Sequence, residues 1–335
     1  MKTLIKRFLR PIVGPLLYRV YRKRPLRPTR PRPKADPKGD FGLVLDWAFH
    51  ASNGWCSAVF PYLAEALIAK YRPVIISSQA DYDRHKHRLG RILSMEPGWA
   101  APHIKYDTSV RAIKAVFYSD PQYHAATRQA YLEDNDFTYV FSLYKQPFFR
   151  HFPTYPKERF VHMTWAIPDE FVSDEPLSVR GDEVAIFGAK GAASYDVRDW
   201  CREQPGVTSY ANSGVQNKKM TDAEFFAWMR GFDAVVCAGS SDPDYDMVFP
   251  KYFEVAAAGT LLFAHRCKDL PDLGFTEENC VIFDKADFND KLKAYKADPA
   301  AYLPIREAGR RLIRERHTLS RRLAEIHEVF YGEKR

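Results

Sequence analysis

From residue 41 onward the chain alternates short apolar runs with segments of helical spacing, and this alternation constrains its fold more than any other feature. GLVLDW (42–47), PVIISS (73–78), RILSM (91–95), AVFYS (115–119), FTYVFSL (137–143) and RFVHMTW (159–165) read as buried strands. Residues 57–70 and 121–134 read as helices between them. Apolar runs without polar alternation suit strands covered on both faces, and strands separated by helices specify a parallel sheet. Residues 166–181, with two prolines, several acids and little apolar content, read as a connection between domains.

The pattern then restarts. EVAIFGA (183–189), VTSY (207–210), DAVVCAG (233–239), TLLFAHR (260–266) and CVIFD (280–284) read as strands. Residues 195–203, 222–232 and 250–259 read as helices, with Thr221 or Asp222 as the cap of the second, and 286–331 as mostly helical. A chain of 335 residues suits two domains. The expectation is an α/β protein whose two halves share one architecture: a basic tail and linker over 1–38, an N-terminal domain over 39–168 and a C-terminal domain over 169–335.

Charge is uneven. Residues 1–38 carry thirteen Lys and Arg against Asp36 alone, a charge of +12, which leaves −4 on the rest of a chain whose net charge is +8. A nucleic-acid binder carries its basic face on the folded part, so nucleic acid is not an expected partner. Within the tail, apolar residues from Leu4 to Val20 recur at helical spacing among Arg and Lys, interrupted by Pro11, Gly14 and Pro15. No apolar run approaches the roughly 20 residues that span a bilayer, and no cleavage site follows. Residues 1–24 read either as an amphipathic segment on an anionic membrane or as a disordered basic tail, and 25–37 as an extended linker. The five cysteines show no CxxC spacing and read as small apolar residues in a reducing compartment. The expected location is cytoplasmic, peripheral to the inner face of the membrane.

Ligands in open α/β sheets bind beyond the carboxyl ends of the strands. In the second half, a strand ends at Gly239, a polar loop runs from Ser240 to Asp246, and Pro250 opens a helix. Exposed N–H groups and a partial positive charge make such a helix start a diphosphate site. Ser240 and Ser241 are candidate donors to phosphate, and Lys190 and Lys251 are candidate phosphate contacts or ordinary solvated lysines. Glu254 either accepts two ribose hydroxyls or complements the helix dipole. Asp246 is placed to reach the sugar. In the first half, Asp46, Glu96 and Asp120 follow strand ends, as N-caps or as the rim of one cleft. His50, Glu96, Asp120 and His124 are candidate bases, with Asp120 preferred. Trp99 is a candidate stacking surface for a sugar or a packing plug, and HASNGW (50–55) a glycine-containing loop close to ligand.

KYFEVAAAGTLLFAHR, followed by DLGFTEENCVIF, DFNDKLKAYKADPAAY and IREAGRRLIRERHTLSRRLAEI, resembles the carboxy-terminal domain of group 1-type glycosyltransferases, in particular the spore-maturation-type branch. A (K/R)-x-F-E-x-x-A-x-G motif falls on Lys251, Phe253, Glu254, Ala257 and Gly259, and a His-Thr pair on His317 and Thr318. The resemblance covers about residues 183–331. It implies a GT-B fold of two Rossmann-like domains facing across a cleft, with a nucleotide-sugar donor on the second domain, a glycan or lipid-linked acceptor on the first, and the last helices packing back on the first domain. It also implies hexosyl transfer in polysaccharide biosynthesis of the cell envelope, with no cofactor beyond the nucleotide sugar as co-substrate and no metal. Relatives carry E-x7-E. Here Asp246 and Glu254 hold those positions, the first acid shorter by one methylene. Two alternatives stay open: a non-catalytic glycan- or nucleotide-binding protein on the same scaffold, and a nucleotide-sugar epimerase.

Overall fold

The computed structural model describes residues 37–52, 59–210 and 220–332. The basic segment through residue 36, with its expected membrane contact at 1–24, lies outside the described residues, as do Asn53 to Trp55 of the expected glycine loop.

Eleven strands among the described residues form two parallel sheets. The first contains β1 (Phe41–Val44), β2 (Val74–Ile76), β3 (Arg91–Ser94), β4 (Ile113–Tyr118), β5 (Tyr139–Ser142) and β6 (Phe160–His162), in the order β2-β1-β3-β4-β5-β6. The second contains β7 (Val184–Ile186), β8 (Val207–Ser209), β9 (Ala234–Cys237), β10 (Leu261–His265) and β11 (Val281–Phe283), in the order β11-β10-β9-β7-β8. The expected α/β architecture is present. Central strands such as FGLV and AVVC are buried along their whole length, because helices cover both faces.

Helices α1 (Trp47–Ser52), α2 (Val59–Tyr71), α3 (Gln79–His85), α4 (Ala125–Asn135) and α5 (Lys145–His151) belong to the first half. The second half holds α6 (Asp196–Arg202), α7 (Asp222–Arg230), α8 (Pro250–Ala257), α9 (Phe288–Ala297), α10 (Leu303–Arg316) and α11 (Leu319–Tyr331). Three local readings are corrected. Trp47, expected to end a strand, begins α1, so His50 lies on a helix and not in a loop. Helices α3 and α5 have no counterpart in the sequence reading. Polar QADYDRH buries Tyr82 alone and starts on a Ser78 cap, which accepts from Asp81 N–H, so it shows no apolar stripe. KQPFFRH is too short and aromatic to show helical period. Of the two residues weighed as cap of α7, Thr221 is the one used, in a reciprocal box with Glu224.

The chain crosses between the sheets twice, at one place. Ile167 N–H donates to His317 O at 2.8 Å and Leu319 N–H donates to Ile167 O at 2.8 Å, forming a parallel bridge between Ile167 and Thr318. His317 is buried and its Nε2–H donates to Leu273 O at 2.8 Å. Burial pushes its pKa down to about 3, so the ring is neutral and structural. Thr318 caps α11. That helix returns to the first sheet, where Phe330 packs edge-on against Phe41 at 5.3 Å and its carbonyl accepts from Arg91 Nε at 2.9 Å. Tyr71, His327 and Tyr331 stack alongside.

Gly259 ends α8 with φ +72°, and a Cβ there would stand 2.7 Å from Leu177 Cδ2. Its carbonyl accepts from buried Arg306 at 2.8 Å. Gly259→Ala is therefore expected to cost about 1–3 kcal/mol. The midpoint of urea unfolding reports it, and an unchanged midpoint would show that the αL geometry is dispensable.

Candidate functional site

In the second sheet the chain leaves β7 toward β8 on one side and resumes at β9 on the other. The loops leaving the carboxyl ends of β7 and β9 therefore diverge, and a crevice opens between them, the place where this topology binds ligand. The β7 loop turns at Gly188, φ +116°. Its three successive carbonyls each accept from a different cation: Phe187 from Lys251 Nζ at 3.1 Å, Gly188 from Arg202 Nη2 at 2.6 Å and Ala189 from Arg198 Nη1 at 3.3 Å. A Cβ at Gly188 would stand 2.5 Å from Lys251 Nζ, so a side chain there would displace the cations.

Arg198 is 6% exposed, and its Nε donates to Ala238 O, on the β9 side, at 2.9 Å. Its guanidinium lies over Tyr195 at 4.2 Å and Phe249 at 5.4 Å. Among the described residues no carboxylate forms a salt bridge with it, and burial pushes its pKa down. A buried cation held only by carbonyls and rings is an electrostatic sink for an anion. Glu254 sits in the same cluster, buried in the second turn of α8. The Cys237 thiol lies within reach of three of these charges: burial pushes its pKa up to about 12, against Lys251 and Arg198, with Glu254 adding to the rise.

The other expected donor contacts are arranged differently. The hydroxyls of Ser240 and Ser241 both donate to Asp196 at 2.6 Å, and Lys285 reaches the same carboxylate at 3.3 Å. Partial burial works against ionisation of Asp196, but these donors outweigh it and hold the carboxyl well below the usual range. They fasten the β9 loop to the start of α6. Lys190 is exposed at the tip of the β7 loop. Asp246 accepts from Lys268 N–H at 3.3 Å. It lies near Asp269, which accepts from the first two N–H groups of α5 across the cleft, Lys145 at 2.8 Å and Gln146 at 3.1 Å. Lys145 with Asp272 and Arg150 with Asp244, each at 2.5 Å, complete a seam of first-domain bases against second-domain acids.

In the first sheet Glu96 and Asp120 stand two residues beyond adjacent strands β3 and β4. Glu96 is buried and paired with Arg128, and also accepts from the Ser119 N–H at 3.2 Å and the Ser119 hydroxyl. Arg128 Nη1 donates to Asp120 O at 2.9 Å. The Asp120 carboxylate has only long contacts, from Gln122 and Ser119 at 3.4 Å each. Burial, then the charge of Glu96, push its pKa up to about 6, with Arg128 opposing. Tyr144 and Tyr123 both feel Asp120 together with Tyr195 of the second domain, which places Asp120 on the cleft wall. His124 is exposed beside it, at φ +56° ahead of α4. Trp99, 46% exposed, stands edge-on to Phe49, while His50 is fully buried against Ala100 O.

Arg198, Arg202, Asp196 and Arg128 are missing from the sequence reading. The signal for the first two was present: Arg at i and i+4 on a helix that opens just after a Gly-Ala-Lys-Gly loop. Arg128 likewise sits in the first turn of the helix after Asp120. Among the described residues no group of three His, Cys, Asp or Glu is placed to hold a metal, and no helix is long and apolar enough to cross a membrane.

Residues 175–328 match the family model described as "Glycosyl transferase-like". No curated protein matches the chain. Among solved structures, Anabaena HepE in complex with UDP superposes with a TM-score of 0.61 at 11% identity, covering 88% of this chain and 100% of that one. TarM of S. aureus gives a TM-score of 0.51 at 10% identity, covering 72% of this chain. The chain spans 54% of TarM. Sucrose-phosphate synthase from Thermosynechococcus elongatus gives a TM-score of 0.51 at 12% identity, covering 82% of this chain and 78% of that one. The fold is GT-B.

Proposed function

We propose that this chain is a glycosyltransferase that moves a hexosyl group from a nucleoside diphosphate sugar to a hydroxyl of a glycan or lipid-linked acceptor, without a metal. The observation that carries this reading is the cluster of Arg198, Lys251 and Arg202 on the β7-loop carbonyls at the β7/β9 crevice, where the buried Arg198 forms no salt bridge with a carboxylate among the described residues. A diphosphate supplies the missing negative charge, aided by the amino end of α8. Glu254, in the same cluster, receives the ribose hydroxyls. Asp246 lies toward the sugar.

On the facing wall Asp120 takes the proton of the acceptor hydroxyl as its oxygen attacks the anomeric carbon. The bond from that carbon to the diphosphate breaks, and the charge left on the nucleotide is met by Arg198 and Lys251. UDP is the first nucleotide to test, since HepE is described with UDP and with UDP-glucose. The proposal extends to a role in cell-envelope polysaccharide synthesis at the cytoplasmic membrane face, with residues 1–24 as the surface contact.

The test is a thermal-shift and titration series with UDP-, GDP-, ADP-, TDP- and CMP-sugars, because a ligand of the folded state raises its melting temperature. Glu254→Ala is expected to weaken the preferred nucleotide by about 10–100-fold, the range for lost charge-assisted hydrogen bonds. Wild-type affinity in that variant would remove Glu254 from the site. Absence of any shift across the series would remove the function.

A further inference from the structure

Two carboxylates at neighbouring strand ends invite the question of which one takes the proton. Val116 of β4 pairs with Ser94 of β3, so the segments carrying Glu96 and Asp120 emerge side by side. Their surroundings differ. Glu96 has one oxygen on Arg128 and the other on both the N–H and the hydroxyl of Ser119, and only 2% of the residue is exposed. No oxygen of it is left to meet an acceptor. The Asp120 carboxylate has only two long contacts, at 3.4 Å each.

We propose that Glu96 is a positioning residue, which sets the proton affinity and the aim of the Asp120 carboxylate through Ser119 and Arg128. This rests on the reading of Asp120 as the base. The physical means are two. The negative charge of Glu96 disfavours a second charge nearby, so Asp120 holds a proton more tightly and becomes a stronger base. Arg128 limits that effect and fixes the backbone: it pairs with Glu96, donates to the Asp120 carbonyl and lies 4.7 Å over the Tyr118 ring. Ser119 connects the two acids, with its hydroxyl donated to Glu96 and 3.4 Å from Asp120 Oδ2.

The other groups facing Asp120 are Gln122 in the turn after β4, Tyr123, Tyr144 before α5, and Tyr195 across the cleft. His124, exposed in the same turn, makes no hydrogen bond to the carboxylate among the described residues. Glu96 and Arg128 are thus the charged side chains that tune this carboxylate among those in contact with it.

The experiment follows UDP release from UDP-glucose with water as the acceptor, at pH 5 to 9. Water oxygen attacks the anomeric carbon, the bond to the diphosphate breaks and the water proton passes to Asp120. Wild type should lose activity below an apparent pKa of about 6. Glu96→Gln keeps the shape and removes the charge, so its acidic limb should move down by about one pH unit, with a plateau less than about tenfold lower. Ser119→Ala removes the hydroxyl donor that offsets the Glu96 charge beside Asp120, so its limb should move up.

UDP titration of each variant reports an intact donor domain. Loss of turnover at every pH in Glu96→Gln, with UDP affinity kept, would make Glu96 the base and overturn the proposal. An unmoved limb in both variants would also overturn it. If Asp120→Asn keeps wild-type turnover, the reading beneath the proposal fails instead, and that result is separate.

Discussion

Asp120→Asn should lower kcat by about 10²–10⁴-fold, the usual contribution of a positioned general base, while UDP affinity stays at the wild-type level. The two observables separate because Asp120 lies on the first domain and the cation cluster on the second. The same substitution should stabilise the fold at neutral pH. Burial lifts the Asp120 pKa in the folded state to about 6 from its ordinary 3.8, so the folded protein binds the extra proton between those values. Its ionisation therefore penalises the native state as pH rises through about 6, and below about pH 4 the penalty is gone. Thermal melts of wild type and Asp120→Asn at pH 4 and pH 8 should converge at the first and diverge at the second. A variant that is both active and no more stable at pH 8 would place the base elsewhere.

Arg306→Met should cost roughly 3–5 kcal/mol, because it removes the buried partner of a buried carboxylate and leaves it only the more exposed Arg180 Nη1, at 3.6 Å. Arg306 and Asp233 are both 3% exposed at their side chains and pair at 3.0 Å. Asp233 also accepts from the N–H groups of Arg180 at 2.6 Å and Gly181 at 2.8 Å. Arg306 donates to Gly259 O and Ser178 O. One ion pair thus fastens the interdomain connection, the start of β9, the end of α8 and α10. For a domain of this size the melting temperature should fall on the order of 10 °C. Adding Asp233→Asn should recover part of the loss, since the poorly compensated charge is then removed. A single variant that melts like wild type would show that water reaches the carboxylate.

The architecture was legible because its signal is carried by many residues at once. The strand runs and the helices between them repeat often enough that no single substitution hides the period. Helices α3 and α5 were not legible, since seven residues with one or two buried positions carry no periodicity. The start of α8 was legible from Pro250 and the glycines around it. The cations facing it were not, because Arg198 and Arg202 read as ordinary surface residues of a short helix until the sheet order brings the β7 and β9 loops together. Ser240 and Ser241 show the converse. Their position was readable, but Asp196, 44 residues earlier, decides what their hydroxyls do. His317, part of the family-like pattern, acts through its buried contact with Leu273 O.

Phe330 touches Phe41 of β1 and Phe141 of β5, so the last helix of the chain closes the core of the first sheet. During synthesis the last strand of the first sheet ends at His162, 157 residues before that helix begins at Leu319. The sheet's Phe41 and Tyr71 face stays uncovered until residue 331 has left the ribosome. The half of the protein made first is the half finished last, and the second sheet must be threaded through synthesis while its partner waits incomplete.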